Sequence, residues 1–245
     1  MTSRSETLVL QPGVTLSGNI TVESAGTPAP TDYSSFRVDV PDASPLPLGG
    51  GGGGGGRGGG LNGGVGRAEK NGAFQVSNLL PGKHFIRVTG QAQGAVGRGQ
   101  AQAQWTLKSV SVGGEDVTDQ AFDIKPGQNL DNVTVLLTDR STEISGTVRD
   151  AKSSGLAAVT VIAFSTDPQY WRAQSRQIQA ARTDQSGAYR LRNLPAGDYL
   201  IVAVDDVEQG EWFDPTYLEQ AREGAKHISI SEGEKKTQDL RGPGA

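Results

Sequence analysis

Apolar and polar residues alternate along most of this chain, and the alternation repeats. Phe74 and Val76 alternate with polar neighbours after a polar turn at Gly72. Tyr189 and Leu191 do the same after Gly187. A period of two places one face of a strand in a core. Each strand is followed by a Pro/Gly turn, Pro81-Gly82 or Pro195-Ala196-Gly197, and then by a second alternating run. That run carries His84, Ile86 and Val88 in one copy and Tyr199, Ile201 and Ala203 in the other. The pattern predicts a β-hairpin in each copy, apolar side inward. Gly72 and Gly187 fit turns that need positive φ.

The two copies align without gaps from Arg67 to Gly90 and from Arg182 to Asp205. Their opening strands also correspond, Leu16-Ser17-Gly18-Asn19-Ile20 with Ile144-Ser145-Gly146-Thr147-Val148. The first copy is 13 residues longer between these landmarks, and a glycine tract from Gly49 to Gly60, broken only by Arg57, accounts for nearly all of the excess. Loop closure costs grow slowly with length, so such a tract is expected as a flexible surface insertion. It matches GxGxxG trivially, without a strand–turn–helix unit to support a phosphate site. Further strands are expected over Trp105–Val112, Phe122–Ile124, Leu130–Leu137, His227–Ile230 and Thr237–Leu240, with a boundary at Asp139-Arg140. One short helix is expected after Asp214 as N-cap, with Pro215 in its first turn, a stop at Gly224, and Tyr217, Leu218 and Ala221 as its packed stripe. The expectation is an all-β chain of two consecutive Ig-like, prealbumin-like antiparallel sandwiches. They span residues 12–139, with the glycine loop at about 49–60, and 141–241.

Composition narrows the chemistry. The chain of 245 residues has room for two sandwiches of roughly 100 residues each. It has no cysteine, which removes disulfides, zinc–thiolate sites and thiol catalysis. Net charge is −4, with Lys and Arg scattered rather than gathered in a stripe, which argues against a nucleic-acid partner. No apolar run reaches the roughly 18–20 residues that span a bilayer. The opening Met1–Glu6 lacks the apolar stretch of a signal peptide, and Leu8–Gly13 reads as the tail of a segment begun earlier.

The string TDQSGAYRLRNLPAGDYLIVAV, together with Ile144-Ser145-Gly146-Thr147-Val148, resembles the carboxypeptidase regulatory-like domain. The resemblance covers most of residues 141–241 and, more loosely, 12–139, where His84 stands in place of the usual Tyr. It implies a transthyretin-like, seven-stranded sandwich of a broad carbohydrate-binding-like superfamily. Such modules recur in bacterial secreted and cell-surface proteins as accessory or structural repeats. The location it implies is extracellular, periplasmic or cell-envelope. The partners it implies are neighbouring repeat modules and a protein or polysaccharide at the cell surface. Fold alone does not establish function.

Candidate chemistry is sparse. His84 lies in the inward register and reads as a packing residue; His227 reads as solvent-facing. No HExxH, GxSxG or Walker-type motif is present, so no catalytic residue is assigned. Asp205, Asp206 and Asp214, with Glu208 and Glu211, form an acidic stretch that could hold Ca²⁺ through carboxylate oxygens. The competing reading is a solvated loop and a helix cap; a glycosidase pair would need a cleft and a fixed separation. Glu69 and Asp184 read as turn residues. Tyr170, Trp171, Trp212 and Phe213 are the ligand candidates, since loop aromatics can stack on sugar rings or anchor a protein. The competing reading has them seal one end of the sandwich against the helix. The expected role is a non-catalytic spacer or adhesion repeat. The alternatives are a carbohydrate-binding module using the loop aromatics and, last, a hydrolase.

Overall fold

The computed structural model describes residues 13–43, 63–90, 105–205 and 207–243. The glycine tract, the segment before Gly13 and Asp206 lie outside the described residues. The chain divides into two compact units, Met1–Asp139 and Arg140–Ala245.

In the first unit the strands are β1 (Val14–Glu23), β2 (Arg37–Val40), β3 (Gly64–Arg67), β4 (Ala73–Leu79), β5 (Gly82–His84), β6 (Arg87–Thr89), β7 (Thr106–Val112), β8 (Glu115–Asp116), β9 (Phe122–Ile124) and β10 (Leu130–Thr138). They form a five-stranded sheet, β4-β1-β10-β7-β8, a three-stranded sheet, β3-β2-β6, and a β5-β9 pair. Inward residues of these strands, with Phe36 just before β2, make one core, in which Leu16, Ile20, Phe36, Val38, Val76, Leu79, Val110, Val135 and Leu137 are almost wholly buried.

In the second unit the strands are β11 (Glu143–Arg149), β12 (Thr160–Ser165), β13 (Ile178–Arg182), β14 (Ala188–Arg192), β15 (Gly197–Val204), β16 (Lys226–Ile230), β17 (Lys235–Thr237) and β18 (Leu240–Arg241). One sheet is β14-β11-β17, with β18 also on β11, and the other is β13-β12-β15-β16. Ile144, Val148, Val161, Tyr199 and Ile201 are at the centre of the core between them. The expected helix forms as α1 (Pro215–Ala221), followed by a 3-10 turn over Arg222–Gly224. The Asp214 carboxylate caps it by accepting the Thr216 N–H at 2.7 Å, and Leu218 is fully buried beneath it.

The hairpins expected from the repeat do not form. β4 pairs with β1, and β5 with β9. β14 pairs with β11, while β15 pairs with β12 and β16. The Pro/Gly turn is therefore a crossover that carries the chain from one sheet of each unit to another. Two strands facing each other across a core satisfy the same alternation as two strands side by side, so period alone cannot separate them. The crossover has its own signals. Asn78 and Asn193 take left-handed φ of 63° and 61°, a conformation Asn tolerates better than most residues. Leu194 then plugs the core, which a solvent-exposed hairpin turn would not require. The turn is tied to the strand it leads into. The Tyr199 hydroxyl donates to the Pro195 carbonyl at 2.8 Å. In the first unit His84 stands in that place, and its Nε2 lies 2.9 Å from the Leu80 carbonyl. That nitrogen must carry the proton to make this contact. His84 is 1% exposed and packs near Phe122.

The sheets are not wholly antiparallel. In each unit the first strand pairs parallel with the last: β1 with β10, and β11 with β17 and β18. This close approach explains the shared Ser-Gly. A Cβ on Gly18 would sit 1.9 Å from the Val133 carbonyl oxygen, and one on Gly146 would sit 2.0 Å from that of Gln238. Neither fits, so both positions require glycine. The aromatic of the repeat covers each glycine from the neighbouring strand, Phe74 opposite Gly18 and Tyr189 opposite Gly146.

Candidate functional site

Three of the ligand candidates, Trp171, Trp212 and Phe213, gather on the outer face of the β13-β12-β15-β16 sheet. β12 is buried on both faces. Val161 and Ala163 point into the sandwich, whereas Ile162 and Phe164 belong to a separate outer cluster with Trp171, Ile178, Leu200 and Leu218. Sequence reasoning assigned only the inward register of β15 and missed this third layer. The signal for it is in the sequence: Val159–Phe164 and Tyr199–Val204 are almost unbroken apolar runs, which mark strands covered on both sides.

The loop after β12 begins with a short 3-10 turn over Pro168–Tyr170, capped by the Asp167 side chain. It delivers Trp171 back onto the sheet. The ring stands edge-on to Phe164, with centroids 5.6 Å apart and planes at 73°. Its indole N–H donates to the Ser165 carbonyl at 2.7 Å, and the Arg222 guanidinium lies 6.0 Å from the ring centroid. Trp171 is 5% exposed. Of the two readings the sequence left open for this ring, stacking platform or seal at the end of the sandwich, its burial matches the seal: it is committed on one edge to Phe164 and at its nitrogen to the backbone. Tyr170 is half-buried beside it.

Trp212 and Phe213 lie in a second 3-10 turn, Glu211–Phe213, just before α1. Both are half-buried against the same cluster. Their centroids are 6.2 Å apart with planes at 51°, so they do not make a flat platform. Tyr217 of α1 also packs there, and burial, aided by the Glu211 carboxylate, pushes its phenol above the ordinary range.

Asp205 is exposed at the end of β15, and Asp206 lies outside the described residues. Asp214 is engaged as the helix cap. Among the described residues no three His, Asp or Glu side chains stand close enough to hold an ion. Asp184 is a turn residue, its carboxylate accepting the N–H groups of Ser186 and Ala188. These bonds, the Ser186 hydroxyl's foremost, hold its carboxyl below the usual range. Glu69 closes the matching turn through its backbone, accepting from Gly72 N–H and donating to the Ala73 carbonyl. His227 is exposed, 3.8 Å from the Asp198 carboxylate.

Residues 143–241 match the model of the carboxypeptidase regulatory-like domain. The match spans β11 to β18, the strands of the second unit. No curated protein matches the chain. Solved structures similar to it include a minor pilin of Streptococcus agalactiae, 12% identical, with 94% of this chain and 95% of that one covered and a TM-score of 0.34. Another is the major pilin subunit of Bacillus cereus, 9% identical, with 93% and 99% covered and a TM-score of 0.31. The Bacillus anthracis TIE protein is 14% identical with a TM-score of 0.28, and the chain spans 34% of its length. Among the described residues no helix is long and apolar enough to cross a membrane.

Proposed function

We propose that this chain is a non-catalytic pair of accessory β-sandwich repeats in a bacterial secreted or cell-envelope protein, acting as a spacer or interaction module. The observation that carries the reading is the use made of the candidate groups. Trp171 is in the core, Asp214 caps a helix and Asp184 closes a turn. Each is consumed by folding rather than aimed into a shared cleft. The regulatory-like match over residues 143–241 supports the same reading.

The half-buried Trp212 and Phe213 favour one second reading, a carbohydrate or protein site at the α1 corner of the second unit. Titration of intrinsic fluorescence with a panel of polysaccharides separates the two. The spacer reading expects no saturable change and no hydrolysis. A saturable change abolished by Trp212→Ala in a chain that remains folded replaces it with the binding reading.

A further inference from the structure

We propose that both units bear tension along the chain, each through a shear clamp made by its parallel first and last strands. The inference rests on the spacer reading, since a spacer held at both ends is the setting in which tension arises.

The geometry follows from topology. In the first unit, tension enters at Val14, the start of β1, and leaves at Thr138, the end of β10. These strands run parallel, side by side, in the middle of the five-stranded sheet. Pulling the start of one and the end of the other slides them lengthwise. Every bond between them is then loaded together, and none can open alone. Had the terminal strands been antiparallel, the same pull would open the ladder from one end, one rung at a time. Seven register pairs join β1 to β10, from Leu16↔Leu130 to Glu23↔Thr138. In the second unit β11 meets β17 through three pairs and β18 through two.

Polar side chains bridge the same two strands where the backbone ladder is irregular. The β1–β10 register shifts between Leu16 and Gly18. There the Ser17 hydroxyl donates to Asp131 at 2.8 Å and the Thr15 N–H to Asn129 at 3.0 Å. Between β17 and β18 the Thr147 N–H donates to Asp239 at 2.9 Å. Past the end of β10, Asp139 accepts from the N–H of Ala25 at 2.7 Å and of Thr27 at 3.0 Å. Sliding β1 against β10 must also break these bonds, so Asp139 lengthens the clamp beyond its last backbone pair.

Single-molecule force spectroscopy tests the proposal on the full chain. The chain has no cysteine, so introduced thiols give unique handles. Pulled between its termini, each unit ruptures in one step. At about 3.6 Å per residue the steps release roughly 440 Å for the first unit and 360 Å for the second, less the folded spans. The longer ladder gives way second. With the handle moved from the C-terminus to Gln128→Cys, an exposed site before β10, β1 and β10 are pulled from the same end and peel apart. Forced rupture reports the unfolding barrier, and at equal pulling speed the first unit's rupture force is expected to fall by about half or more. Equal forces in the two geometries overturn the clamp while leaving the spacer reading intact, because a spacer need not carry load. Polysaccharide binding in the fluorescence titration overturns the spacer reading instead, whatever the forces. Rupture of the first unit before the second contradicts the ladder-length argument and overturns the clamp in that unit.

Discussion

Trp171→Ala tests whether the outer layer of the second unit is core or ligand surface. The indole is 5% exposed, lies edge-on to Phe164 and donates to the Ser165 carbonyl. A buried aromatic of this size removes roughly 150–250 Å² from water, worth about 4–6 kcal/mol at ~25 cal/mol per Å². Part of that is kept by the alanine and by partial collapse of the site, and measured truncations of buried Phe and Trp cluster at about 3–5 kcal/mol. The lost indole hydrogen bond adds about 1 kcal/mol. The expected cost is therefore about 4 kcal/mol, a large share of the roughly 5–15 kcal/mol that holds a domain together. It should fall on the second unit alone. Urea unfolding followed by far-ultraviolet circular dichroism reads it without relying on the deleted fluorophore. Trp171→Phe keeps most of the ring but removes the donor and some area, and should cost about half as much. A cost below about 1 kcal/mol for Trp171→Ala, in a chain that still folds, would refute the assignment of this ring to the core.

Gly146→Ala forces a methyl against the Gln238 carbonyl, so β11 and the segment joining β17 to β18 must move apart; a loss of about 2–3 kcal/mol in the melting of the second unit is expected, typical of overpacking. Tyr189→Phe keeps the ring over Gly146 but loses the hydroxyl's bond to the Gln238 carbonyl, and should cost about 1 kcal/mol by denaturant titration. Asp139 gives a pH dependence. Burial works to raise its carboxyl, but hydrogen bonds from Ala25, Thr27 and Ser24 outweigh it and hold the group at about 2 against an ordinary 3.8. A depressed folded value means stability present above pH 4 and lost as pH falls toward 2. Because the group is largely solvated, about 1 kcal/mol is at stake, and Asp139→Asn should flatten the acid limb of the first unit's stability curve.

The alternation at Phe74–Val76 and Tyr189–Leu191 and the cap-and-proline start at Asp214-Pro215 are local properties, and local sterics and hydrogen bonding decide them. The strands named from the pattern and α1 therefore form close to where it places them, and the inward register of His84 and Tyr199 holds, but the run His84–Val88 splits into β5 and β6, Thr237–Leu240 splits across β17 and β18, and β2, β3, β8, β12 and β13 were not among the expected strands. The partner of each strand was not legible, because period two reports only that one face is buried. The choice between hairpin and crossover depended on Asn193 in the left-handed region and on Leu194 turning into the core, and both act through distant contacts. The need for glycine at 18 and 146 was visible as a repeated Ser-Gly. Its cause, a carbonyl about 2 Å from where a Cβ would stand, comes from residues more than 90 positions away. The aromatics divide in the same way. Sequence could name Trp171 and Trp212 as large rings in polar stretches, but solvent exposure belongs to the assembled surface. Only the packing of the 168–171 loop and α1 onto the outer face of β12 and β15 decided that Trp171 is core and that Trp212 stays half-buried at the rim.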